Sequence, residues 1–139
     1  MSYLLDTNVV FETERKRPES RVVEWLNNAD SGSVYLSALT IGEIKKGLSK
    51  LPSGNRKAHI QNWLVDFRRH FEGRILPLTE QTFLVWGKMI AELEKKGIVR
   101  PVGDSFLEAT ALEQDLILVT RNLRNFQQSS VTILNPWED

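Results

Sequence analysis

The sequence predicts an α/β fold: a three-layer sandwich around a mostly parallel central sheet of about five strands. Three observations predict it. Short apolar, β-branched runs recur at Tyr3–Leu5, Ser33–Ser37, Arg74–Leu78, Leu116–Thr120 and Val131–Leu134. Stretches with apolar residues at helical spacing separate them, and strands that alternate with helices pair in parallel through crossovers. One run, Leu116-Ile117-Leu118-Val119, is apolar at every position, as a strand covered on both faces must be.

The elements follow in order. Tyr3–Leu5 feeds Asp6 and a helical stretch Asn8–Glu14. After the second run, Ile41, Ile44, Leu48 and Leu51 mark one helical face. Ile60, Trp63, Leu64, Phe67 and Phe71 mark another, and Phe83, Trp86, Met89, Ile90 and Leu93 a third. Gly97 follows Lys95-Lys96, where a glycine ends that third helix. Asp104 opens the stretch that runs on to Leu112. Trp25, Trp63 and Trp86 fall on apolar helical faces and are assigned to the core, and His59 and His70 to its edge or the surface.

Composition narrows the functional classes. A chain of 139 residues, 41% hydrophobic and without a linker or repeat, fits one domain over 1–139. Eighteen basic residues balance eighteen acidic ones, so a phosphate-binding surface must be a local patch. There is no cysteine, which excludes disulfides and thiolate metal sites. The start turns acidic at Asp6, too early for a signal peptide, and no apolar run nears the roughly 20 residues that span a bilayer. A soluble, cytoplasmic protein without a membrane partner is expected.

In open α/β sheets ligands sit outside the carboxyl ends of the strands. Three acids lie at or just beyond such ends. Asp6 closes the first run; it is either an N-cap or a ligand held rigid by a central strand. Thr40-Ile41-Gly42-Glu43 reads as a capping box, or else Glu43 sits in the first turn of a helix and aims at the strand ends. Asp104 is either an N-cap or a ligand. Glu108, one turn on, shares its face about 6 Å away, a like-charge pair that a cation would relieve and that a solvated first turn would tolerate. Oxygen donors without cysteine or a histidine pair suit Mg²⁺ or Mn²⁺ rather than Zn²⁺.

Tyr3-Leu4-Leu5-Asp6-Thr7-Asn8 resembles the opening motif of PIN-domain ribonucleases. Leu36-Ser37-Ala38-Leu39-Thr40-Ile41-Gly42-Glu43 is similar to their second motif, Asp104 to Ala111 to their third, and Leu118 to Phe126 to their fourth. Order, spacing and length agree over essentially the whole chain, and the Thr120-Arg121-Asn122 ending looks most like the VapC-type toxins of type II toxin–antitoxin pairs. The resemblance implies a PIN-like fold and a Mg²⁺- or Mn²⁺-dependent endoribonuclease. It also implies a homodimer, held inactive by an antitoxin whose C-terminal segment covers the active site. By position, Asp6, Glu43 and Asp104 are the metal-binding acids, Glu108 is a further metal-ligand candidate, and Thr120 is a supporting hydroxyl. The fourth motif often carries an aspartate two residues after the threonine, where this chain has Asn122. Asn125 likewise lacks a charge where an aspartate is frequent.

Phosphodiester hydrolysis needs an activated water, a countercharge and help for the leaving oxygen, which two cations can supply together. Asp104 is expected on the nucleophile side, Asp6 as a bridge, and Glu43 direct or through water, with Asn122 as a weakened fourth position. Lys45, Lys46, Arg121 and Arg124 are the candidate RNA-gripping cations, with Arg15-Lys16-Arg17 in support; a solvated surface is the alternative for each. Three rival readings remain. A haloacid-dehalogenase-type phosphatase needs a second acid where Asn8 stands. A catalytically weakened PIN-like module would bind RNA or protein without cutting. In a purely structural domain the three acids would be caps.

Overall fold

The computed structural model describes residues 1–138. Five parallel strands form one sheet in the order β3-β2-β1-β4-β5, with β1 at Tyr3–Leu5, β2 at Val34–Ser37, β3 at Ile75–Leu76, β4 at Ile117–Val119 and β5 at Ile133–Leu134. Six helices connect them: α1 Thr7–Glu14, α2 Ser20–Asn28, α3 Ala38–Ser49, α4 Asn55–His70, α5 Glu80–Lys95 and α6 Val102–Gln114. The α/β expectation holds. β3 is shorter than its apolar run because Arg74 turns its N–H back to Phe71 O and Pro77 has no N–H to offer.

Strand alternation divides the core. Leu5, Leu36 and Val119 pack with Val9, Val10, Val22, Ile44 and Phe71 on the α1, α2 and α4 side. Leu4 and Leu118 point the other way, against Leu107 and Ala111 of α6 and Phe126. Each such leucine, sealed from water, contributes roughly 1.5–3 kcal/mol of burial free energy. α5 lies outermost, its Met89 and Leu93 meeting Ala109 of α6. It ends as expected: Gly97, at φ 76°, lets its own N–H reach Glu94 O while the N–H of Ile98 reaches Leu93 O. No helix is long and apolar enough to cross a membrane.

This packing fixes where the site can be. β1 lies between β2 and β4, and the chain order reverses around it, so the crevice beyond the carboxyl end of β1 is the switch point of the sheet. The N–H of Asp6 still donates to Val119 O at 2.8 Å, so Asp6 sits on the last rung between the two central strands.

Candidate active site

Asp6 ends β1 and caps α1. Its Oδ1 accepts from the N–H of Thr7 at 2.6 Å; its Oδ2 accepts from Thr120 Oγ1 at 2.7 Å and from Asn8 Nδ2 at 3.2 Å. The cap of the sequence reading is present at Oδ1, while Oδ2 is a separate atom that faces Thr120, so capping α1 occupies only one of the two oxygens. Thr120 is fully buried just past β4, and its hydroxyl also accepts from the N–H of Asn122 and from Asn8 Nδ2. Asn8 Oδ1 in turn accepts from the N–H of Arg121, which ties the first motif to the fourth.

Glu43 does not sit in a capping box. α3 begins at Ala38, with Ser37 as its cap, the serine Oγ accepting from the N–H of Leu39. Helix formation thus starts earlier than Thr40, which becomes a buried interior residue bonded to Thr7 Oγ1. Glu43 lies beyond the first turn with an exposed side chain, and its Oε1 accepts from Thr7 Oγ1 at 2.9 Å. Its other oxygen lies close to Gly103, where an added Cβ would come within 4.0 Å of it. The acid of α3 thus reaches the residue next to Asp104. Glu43→Gln is expected to leave Tm unchanged, since the amide oxygen can still accept from Thr7, while divalent-ion affinity falls. A Tm loss in thermal melts would return Glu43 to a structural role.

Asp104 is not a cap either. Pro101 precedes the first turn of α6 and Asp104 stands inside that turn, half-buried, its Oδ2 accepting from Asn125 Nδ2 at 2.8 Å. Asn125 is thus the fourth-motif side chain that reaches Asp104, as Thr120 is the one that reaches Asp6. Asn122 enters through its main chain, and its side chain is exposed. Glu108 is drawn away from the cluster: it is fully buried and holds Arg100 in a two-pronged ion pair, Nε to Oε1 at 2.6 Å and Nη2 to Oε2 at 3.2 Å. Its one-turn spacing from Asp104 survives, but both its oxygens are taken by the guanidinium. Nothing in the local spacing shows this, because Arg100 lies before Pro101 on the incoming loop.

The electrostatics are those of uncompensated negative charge. Burial pushes the Asp6 carboxyl above the ordinary aspartate range, and the charge of Glu43 adds to it; Thr120, the Thr7 N–H and Asn8 oppose the shift. Burial likewise raises Asp104, helped by the charges of Asp6 and Glu43 and countered by Asn125 and Arg100. Arg100 is committed to Glu108, so no basic side chain is paired with these acids among the described residues. An all-oxygen donor set with unneutralised charge suits a hard divalent cation. The groups are not drawn tightly together, however: among the described residues no three acidic or histidine side chains already form a closed metal-binding cluster.

The predicted cations are all on the surface. Lys45 and Lys46 are exposed on α3, as is Arg124 beyond β4. The Arg121 guanidinium lies 5.2 Å over the Trp137 ring. His59 and His70 are exposed on α4 and take no part in the site.

A model of the PIN domain matches residues 3–130, and the chain belongs to that family. Within it, the chain is 34% identical over 137 residues to the toxin FitB of Neisseria gonorrhoeae, covering 98% of this chain and 99% of that protein. It is 31% identical over 136 residues to the VapC ribonuclease Y4jK of Sinorhizobium fredii, covering 97% of each. The crystal structure of FitAcB from Neisseria gonorrhoeae superposes with a TM-score of 0.93 at 33% identity, over 99% of both chains. The VapBC2 complex of Rickettsia felis bound to a promoter DNA fragment shares the fold, at a TM-score of 0.80 and 24% identity.

Proposed function

We propose that this chain is a Mg²⁺- or Mn²⁺-dependent endoribonuclease, the toxin of a type II toxin–antitoxin pair. The observation that carries the reading is the placement of Asp6, Glu43 and Asp104, from three separate elements, within reach of one another's charge beyond the end of β1, with no basic side chain paired to them among the described residues. A bound divalent cation supplies the water activation and the countercharge that a phosphodiester demands. The protein's part is to hold oxygens. Asp6, between the Thr7 N–H and Thr120 Oγ1, has almost no rotational freedom. Glu43 is steered by Thr7, and Asp104 by Asn125. Thr120 acts through Asp6, and its hydroxyl donates to the carboxylate rather than towards open solvent.

An apolar hollow of about 440 Å³ between α1, α2 and α4 includes none of these acids in its lining, so the acids do not share a deep apolar pocket. An open acidic surface suits a polymer substrate, and Lys45, Lys46, Arg121 and Arg124 are the proposed contacts to its backbone. Solved relatives, among them a toxin–antitoxin complex from Klebsiella pneumoniae, support a cognate antitoxin as partner, and a cytoplasmic setting is proposed with it. A homodimer is proposed as well, and the exposed Leu84, Val99 and Val102 on α5 and the loop after it offer apolar area for one. A second reading, a weakened PIN module that binds RNA or protein without cutting, is favoured by one observation. Asn125 offers an amide to Asp104 where a charged oxygen is frequent in this motif.

One experiment separates these readings. Purified protein, freed of any co-purifying partner, is incubated with total RNA and Mn²⁺ or Mg²⁺, with and without excess EDTA. Cleavage with either ion, abolished by EDTA, is expected. Cleavage that persists in EDTA, with contaminating nucleases excluded, overturns the metal-dependent reading, and retained RNA binding without cleavage favours the second one.

A further inference from the structure

The Arg100–Glu108 pair is buried to the point that each side chain is 1% exposed, yet it lies outside the acid cluster. Burying two charges is costly unless their remaining hydrogen-bonding capacity is used. Here it is used in a particular direction. Beyond its fork on Glu108, Arg100 Nη2 donates to the main-chain carbonyl of Gln127 at 2.7 Å. Gln127 follows the 3₁₀ turn Leu123–Phe126, which carries Asn125, and precedes Gln128, whose φ of 57° is a left-handed conformation that a side-chain-bearing residue adopts only when held.

Glu108 and Asp104 stand one turn apart on α6, and Asn125 and Gln127 two residues apart on the loop after β4. Two bridges therefore join the same two elements: Asn125 to Asp104, and Gln127 through Arg100 to Glu108. The first bridge is a single neutral-donor bond at a half-buried acid. The second runs through the buried, two-pronged Arg100–Glu108 ion pair and ends in a part-buried bond from the guanidinium to the Gln127 carbonyl; bidentate ion pairs of this kind are the stronger and more directional ones.

We propose that Arg100 is a positioning residue for the active site. With Glu108 as its fixed base on α6, it holds the Gln127 carbonyl and so keeps Asn125 against Asp104. Glu108 then serves the site as the anchor of this brace. The inference rests on the nuclease reading only for its consequence in catalysis; the brace itself is tested without it.

The test compares the parent with Arg100→Met/Glu108→Leu. An apolar pair of similar volume commonly replaces a buried ion pair without loss of stability, so the double variant should fold. Arg100→Lys is the companion, a point charge that keeps the pair with Glu108 but lacks the planar fork needed to reach both partners. Three quantities are read in each: amide exchange over residues 123–128, the Asn125 side-chain amide resonance, and steady-state RNA cleavage with Mn²⁺.

In the double variant, exchange in the loop is expected to rise at least tenfold and the Asn125 resonance to move towards that of a free amide. Catalytic turnover should fall about tenfold or more with KM little changed, the order of loss typical when the partner of a metal-site residue is removed. Arg100→Lys should fall between parent and double variant on all three. A double variant with parental exchange and an unmoved Asn125 signal overturns the brace, whatever its cleavage rate. A freed loop with parental turnover overturns its link to the site. If the parent itself does not cleave RNA, the nuclease reading fails while exchange and the Asn125 signal still decide the brace.

Discussion

Asp6→Asn and Asp104→Asn should each lower RNA cleavage by at least about a hundredfold, the order of loss when one electrostatic contact to a transition state is deleted. The folds should survive. In Asp104→Asn the amide oxygen can still accept from Asn125 Nδ2. In Asp6→Asn the oxygen can still serve the Thr7 N–H, and the new amide N–H can donate to the Thr120 hydroxyl, whose proton must turn elsewhere; Asn8 must turn its amide and gives up the Arg121 N–H. The pH dependence of stability should change in a defined way. The folded protein holds the Asp104 proton more tightly than the ordinary value of 3.8 allows, so ionising it opposes folding as pH rises above that value. The asparagine variant escapes this loss. In melts with EDTA its Tm should match the parent at low pH, exceed it as pH rises past 3.8, and keep a constant lead once the parental group is ionised. Saturating Mn²⁺ should reverse the order, since it stabilises only the protein that binds it. Parental cleavage by either variant would leave that acid a structural role and nothing more, and equal Tm at every pH would remove the proposed crowding of charge.

The largest effect on stability is expected from Arg100→Met alone. It removes the only partner of a buried carboxylate and leaves Gln127 O without its donor. Removing one member of a buried pair typically costs about 3–5 kcal/mol. With Tm moving by about 3–4 °C per kcal/mol in a chain of this size, Tm should fall on the order of 10–15 °C. The Arg100→Met/Glu108→Leu chain should recover most of that, although it makes fewer polar contacts. Calorimetric melts of the parent and both variants measure this. A single variant as stable as the parent would mean that water or a neighbouring group already satisfies Glu108.

The strands were legible because their apolar runs are short, β-branched and set between stretches of helical period. The acids were legible as residues but less so in their roles. Thr40-Ile41-Gly42-Glu43 has the spacing of a capping box, and Ser37, the last residue of β2, pre-empts it by capping α3. Thr40 then spends its hydroxyl on Thr7, a contact across 33 residues that no local pattern records. Asp104 looked like a cap because short polar residues commonly start helices; Pro101 starts this one with no side-chain bond at all. The partnership of Arg100 with Glu108 was hidden for a different reason. Helical spacing relates Glu108 only to its neighbours along α6, whereas the guanidinium arrives from outside the helix, around a proline. Asn125 stood out only as an uncharged position, and its bond to Asp104 depends on how the loop after β4 folds over α6.

The central place of β1 has a consequence for how the molecule comes into being. A strand order that grows outwards from β1 in both directions makes the first strand synthesised wait for the fourth. While only the part up to α5 has left the ribosome, Asp6 has Glu43 nearby but no Thr120 to hold its second oxygen and no Asp104 opposite it. Pairing in parallel sheets is non-local and comparatively slow, so β4 can dock only after α6 has formed the crossover behind it. Until β4 docks, Thr120 and Asn125 cannot hold Asp6 and Asp104; both contacts form together, when β4 slots against β1 and the following turn closes over α6.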